Sequence, residues 1–176
     1  MSELYTDYTK GVSSTQRTEI IMNNPISQLH NNIILQEFRT KFQVEENLVL
    51  NTGSWTWSVR PLQPTLGSGI ISLNRYALQL SDVTVEEMSE LSILVKKLET
   101  TLKLTFNYDI MNYLMLMMVD KHVHYHVIPR YNGMRNFADL EWVDNGWPSL
   151  PLLADCQHKE NIRVTKKIRN TLLGNL

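Results

Sequence analysis

The run His122-Val-His124-Tyr-His126-Val-Ile-Pro-Arg130 sets three imidazoles at i, i+2 and i+4. With five histidines in 176 residues, random placement would produce this spacing about 0.004 times. A strand rises ~3.3 Å per residue and alternates faces, so the rings would stand in a row ~6.6 Å apart at Cα, with Val123, Tyr125 and Val127 opposite. Three kinds of chemistry use such a row. As core groups, the imidazoles need three buried hydrogen-bond partners. As zinc ligands, two at i, i+2 can share an ion at ~2.0 to 2.1 Å. The outer pair lies ~13 Å apart at Cα, and the spacing of His30, His158 or Asp120 does not recommend any of them as the missing ligand. As a nucleophile, the middle ring attacks phosphorus through an unprotonated nitrogen while a backbone carbonyl holds its other nitrogen as a donor. The flanking rings then hydrogen-bond the non-bridging oxygens, without any metal.

The elements that must position this row are legible in the pattern. Pro25 opens a helix carrying Leu29, Ile33, Phe38 and Phe42. Asn47 to Leu50 and Trp55 to Val59 flank an Asn51-Thr-Gly-Ser turn and predict a hairpin with both tryptophans in the core. A turn-rich connector from Arg60 to Gly69 leads to a strand at Ile70 to Leu73. Thr84 with Glu87 is a capping box, and Met88, Leu91, Leu94, Val95, Leu98 and Leu102 form the apolar stripe of the helix it opens. Asn112 to Val119 reads as a buried strand, Asp120-Lys121 as a short connection, and His122 to Ile128 as the next strand, ended by Pro129. Beyond Tyr131 the pattern degrades until a basic helix from about Lys159 to Leu173. Its Arg163, Lys166, Lys167 and Arg169 are expected to form a solvated face, with phosphate binding as the alternative.

Composition bounds the function. At 43% hydrophobic residues the chain supports one core and one domain. The polar, Ser- and Thr-rich residues 1–24 predict a flexible segment, and 25–176 a single domain. Seventeen basic against eighteen acidic residues leave a charge of −1, so the electrostatic footprint of a nucleic-acid binder is missing. The longest apolar run, Tyr113 to Val119, is strand-sized and spans no membrane. The single Cys156 forms no internal disulfide, and its expected role is a small, part-buried residue. The acidic start, without the basic and apolar regions of a secretory signal, predicts a cytoplasmic protein.

His122 to Ile128 resembles the His-φ-His-φ-His-φ-φ signature of the histidine-triad superfamily of nucleotide hydrolases and transferases. Pro129-Arg130 is similar to its fragile-histidine-triad and dinucleoside-polyphosphate hydrolase branch. The likeness extends over Pro64 to Ile71 and the long helix, about residues 45–132. It implies an α+β fold with a five-stranded antiparallel sheet and a long helix, here with extra N- and C-terminal helical segments. It further implies His124 as the nucleophile that takes up a nucleoside monophosphoryl group, flanked by His122 and His126, on a strand facing a nucleotide groove, often in a homodimer. The substrate would be a small nucleotide with a phosphoanhydride or phosphoramidate bond, and no cofactor is required. Arg60 stands where the family commonly has a ribose-binding Asn or Asp. Ser68 replaces a His at the end of the Pro-Gly turn. Asp120 and Lys121 stand in a short apolar loop where relatives carry polar leaving-group contacts. These four and Arg130 are the candidate nucleotide-binding residues. The departures keep two other readings open: a non-catalytic nucleotide-binding module and a zinc-dependent hydrolase.

Overall fold

The computed structural model describes Ser13 and residues 24–176, so the segment expected to be flexible lies, but for Ser13 and Asn24, outside the described residues. The described elements run in the order α1 (Pro25–Lys41), β1 (Leu48–Asn51), β2 (Trp55–Val59), β3 (Gly69–Leu73), α2 (Val85–Phe106), β4 (Ile110–Leu114), β5 (His124–Arg130), β6 (Arg135–Phe137), β7 (Leu140–Trp142) and α3 (Ile162–Gly174). The first five strands form one antiparallel sheet in the order β1-β2-β3-β5-β4. The expected α+β fold with a five-stranded antiparallel sheet is therefore observed.

Strand alternation gives the sheet two different faces. Trp55, Trp57, Val59, Ile71, Leu73 and Val127 join Leu91, Leu94, Leu98 and Leu102 of α2 and Val164, Ile168 and Leu172 of α3 in the main core. The opposite face carries Ser58, Ile70 and His126 in one cross-strand row and Thr56, Ser72 and His124 in the next. Ile70 there joins a separate small cluster with Phe38, Phe42 and Val44. The long helix starts at the predicted capping box: the Thr84 hydroxyl accepts from the Glu87 amide at 3.2 Å, and the Glu87 carboxylate accepts from the Thr84 amide at 2.8 Å. The Trp55 indole N–H donates to the Glu87 carbonyl at 2.7 Å, tying this helix start to β2.

Several expected boundaries move, each for a local reason. The buried strand expected over Asn112–Val119 is a shorter β4 whose side chains are half-buried or exposed. It is an edge strand paired only to β5, and β5 begins at His124, opposite no residue beyond Leu114. His122 and Val123 precede β5, and the strand continues through Pro129 to Arg130. Proline is tolerated because β3 has already ended at Gly69 opposite Val127, so Pro129 faces only Met111 of β4. The β6–β7 hairpin was not legible: its turn places Ala138 and Asp139 at φ 59° and 60°, without the glycine that marks such turns. The carboxy-terminal helix begins at Ile162, with Arg163, Lys166 and Lys167 exposed and the Arg169 Nε donating to the Leu48 carbonyl at 2.8 Å.

Candidate functional site

The backbone carbonyls around the triad fix its tautomers, since a carbonyl only accepts. The His122 Nε2–H donates to Leu73 O at 2.8 Å. The His124 Nδ1–H donates to the carbonyl of His122 at 2.7 Å, which leaves Nε2 of His124 with its lone pair. That nitrogen faces Nε2 of His126 at 3.3 Å, so the His126 nitrogen is the donor. Burial lowers the pKa of all three rings, those of His122 and His126 to about 4, with mutual repulsion reinforcing the effect at both. At neutral pH the row is uncharged, as a nucleophilic nitrogen requires.

A cavity of ≈ 440 Å³ opens beside the row. His126, Arg60, Lys41 and Asp120 supply its polar lining, and Phe42, Leu62, Leu116 and Met118 much of its apolar wall. Arg60 follows β2 and faces His126 closely enough to depress its pKa further. Its Nη1 is buried without a hydrogen-bond partner among the described residues, and the half-buried Cys156 lies alongside it. Asp120 is held by Lys41, whose ammonium donates to both carboxylate oxygens at 2.7 and 2.8 Å. Arg60 and the Asp120-paired Lys41 beside apolar lining suit an anion attached to an apolar group.

Not every candidate residue reaches this cavity. Ser68 is fully buried, donating to the Thr65 carbonyl at 2.8 Å, and serves the turn before β3. Lys121 is exposed and outside the cavity lining. Arg130 lies at the far end of β5. There its guanidinium binds Asp144 through Nε and Nη2, Asn112 Oδ1 at 3.0 Å and Ser149 O at 3.0 Å, with 4% of its surface exposed. Every arm of Arg130 is already used in tying loops together, so it is a structural residue. His124 also departs from expectation: it has no exposed surface, and His126 is the triad member on the cavity. The covering groups are Phe38 and Phe42, which with Lys41 are the site residues that sequence reasoning did not identify. Their i, i+4 apolar spacing was legible, but not the surface they would cover. Among the described residues no group of three or more His, Cys, Asp or Glu side chains is arranged to hold a metal ion.

Comparison with known proteins agrees with this geometry. The family model of the HIT domain matches residues 70–133, which run from β3 through the triad strand. The fold is that of histidine-triad proteins. A histidine-triad protein of Sinorhizobium meliloti superposes with a TM-score of 0.57 at 16% identity, over 76% of this chain and 93% of its own. A hypothetical histidine-triad nucleotide-binding protein of Sulfolobus tokodaii gives 0.52 at 19% identity, over 73% and 84%. A HIT-like protein of Bartonella henselae, described as involved in cell-cycle regulation, gives 0.53 at 15% identity, over 88% and 97%. No curated protein matches the sequence. The chain thus resembles the HIT domain over residues 70–133 and shares the fold of these proteins.

Proposed function

We propose that this protein is a nucleotide hydrolase or nucleotidyltransferase working through a covalent intermediate on His124. The observation that carries this reading is the hydrogen bond from His124 Nδ1–H to the His122 carbonyl, which leaves Nε2 as a neutral lone-pair nitrogen in a row of neutral imidazoles. In the reaction, His124 Nε2 forms a bond to the α-phosphorus of a nucleoside phosphoanhydride or phosphoramidate, and the bond from phosphorus to the leaving group breaks. The leaving group departs and takes any proton it needs from solvent water, and the water that later attacks returns one to solvent. Water, or another acceptor, then attacks the phosphorus, the P–N bond breaks, and the nucleoside monophosphate or its ester is released with His124 restored. As His124 Nε2 turns its lone pair to phosphorus it gives up the hydrogen bond from His126 Nε2–H, and that N–H and the Arg60 guanidinium supply hydrogen bonds to the phosphoryl oxygens as charge builds on them. The step is routed through side chains alone.

Replacing His124 by Ala tests this. Turnover of diadenosine polyphosphates and adenosine phosphoramidate should fall about 10³-fold or more, with AMP affinity within about tenfold of the parent, since only the nucleophile is lost. Parent-level turnover by H124A would reject the assignment. A second reading, a binding module without catalysis, is favoured by the complete enclosure of His124. It predicts AMP binding by the unaltered chain with no turnover of either substrate.

A further inference from the structure

The rings over the triad come from the end of α1. The Phe38 ring lies 4.9 Å from the rings of both His122 and His124, and the Phe42 ring 5.9 Å from His124 and 5.8 Å from His126. With these rings and His126 Nε2 around it, His124 has no exposed surface for phosphorus to approach. The helix that carries them is lightly held. Phe38 is its only buried residue, while Ile26, Leu29 and Ile33 are 76%, 62% and 48% exposed. Its last residue, Lys41, reaches across to Asp120, in the loop that leads into the triad. Its buried packing is confined to the small cluster of Phe38 and Phe42 with Val44 and Ile70, and of its two ion pairs Arg39–Glu45 is local to the chain while Lys41–Asp120 reaches the triad loop, so the element opens locally at low cost. The Lys41–Asp120 pair also lines the cavity, so an oxyanion entering beside Arg60 meets Lys41 already engaged by a carboxylate.

We propose that the last turn of α1 is a lid that holds the triad closed, latched by Lys41 on Asp120, and that a phosphate entering the cavity releases it by replacing the Asp120 carboxylate at Lys41 Nζ. This deepens the reading of His124 as the nucleophile and rests on it. The chemistry that opens the lid is that of the substrate's own phosphates, so opening is coupled to occupancy.

Accessibility tests the lid without any turnover. Diethyl pyrocarbonate modifies an unprotonated imidazole nitrogen that it can reach, and peptide mass mapping reads each histidine separately. In the full chain at neutral pH, His124 should react about tenfold or more slowly than the exposed His30. D120N and K41M should each speed labelling of His124 severalfold and leave His30 unchanged. The two variants separate release from electrostatics. Asp120 favours the protonated form of His124 and Lys41 disfavours it, so charge effects alone would move the two rates in opposite directions. Rates that move oppositely, or that do not move, overturn the latch, as does an unaltered His124 that reacts as fast as His30. Millimolar inorganic pyrophosphate should also speed hydrogen exchange of the amides of residues 38–44, and unchanged or slower exchange would overturn release by phosphate. A closed lid with no covalent chemistry, or covalent chemistry with no lid, would each be seen directly, so the two claims fail separately.

Discussion

The behaviour of the triad follows from where its protons sit. His122 and His126 titrate near 4 because burial penalises the imidazolium, and His124 is lowered for the same reason. In the unfolded chain these rings take up protons near pH 6.5, so between about pH 6.5 and 4 the unfolded state binds more protons than the folded one. Stability should therefore be full above pH 6.5 and fall by on the order of a few kcal/mol as pH drops toward 4. Urea denaturation at a series of pH values measures this, and a flat profile over that window would contradict it. The acid limb of turnover should likewise lie below pH 6.5. Arg60 makes a separate prediction, because its buried Nη1 has no hydrogen-bond partner among the described residues. R60Q should weaken AMP binding about tenfold with little change in melting temperature, as read by calorimetry. At this scale the sequence was informative where spacing alone determines geometry, as for the three histidines. It was silent where a residue's role depends on its neighbour. Arg130 looks the same in a sequence whether it grips a phosphate or, as here, Asp144.

Elements were legible where their signals are local. The Thr84–Glu87 box, the hairpin around Asn51 to Ser54 and the α2 stripe from Leu91 to Leu102 all depend on residues within a few positions, and all are present; Met88, expected in the stripe, is exposed because it lies in the first turn, ahead of the stretch packed on the sheet. The end of β4 and the start of β5 depend on what lies beside them in the sheet, and there the pattern misled. Met115 to Val119 is apolar enough for a buried strand, but it has no partner strand and stays half-buried or exposed. The turn before β3 shows how closely one element rests on another. Gly67 has φ +80°, and a Cβ there would lie 2.8 Å from the Phe106 ring and 3.0 Å from Leu102 of α2. G67A should destabilise the fold by about 2 to 4 kcal/mol, the strain and the overpacking adding together. A shift in denaturation midpoint with unchanged slope would show it; an unchanged midpoint would refute it.

The whole molecule divides its sheet between two tasks. One face is committed to the core through Trp55, Trp57 and the α2 stripe, and the other bears the polar row and the cavity. The far end of β5 is secured by the Arg130–Asp144 pair. Asp144 also accepts from the amides of Tyr131 at 3.2 Å and Gly146 at 3.2 Å, so one carboxylate joins the triad strand to the segment beyond β7. D144A would leave an uncompensated guanidinium that is 4% exposed. The expected loss is about 3 to 5 kcal/mol, measurable by chemical denaturation, and a loss under 1 kcal/mol would show that the loops tolerate its removal. Among the described residues no helix is long and apolar enough to cross a membrane.

On the proposed mechanism His124 becomes covalently nucleotidylated. Mixing the full chain with adenosine phosphoramidate or a diadenosine polyphosphate, quenching within a turnover under alkaline denaturing conditions and mapping peptides by mass spectrometry tests it directly. An acid-labile adenylyl group is expected on the peptide containing His124, and its loss in H124A. Turnover with no adduct on any histidine, or an adduct on His122 or His126 in its place, would contradict it.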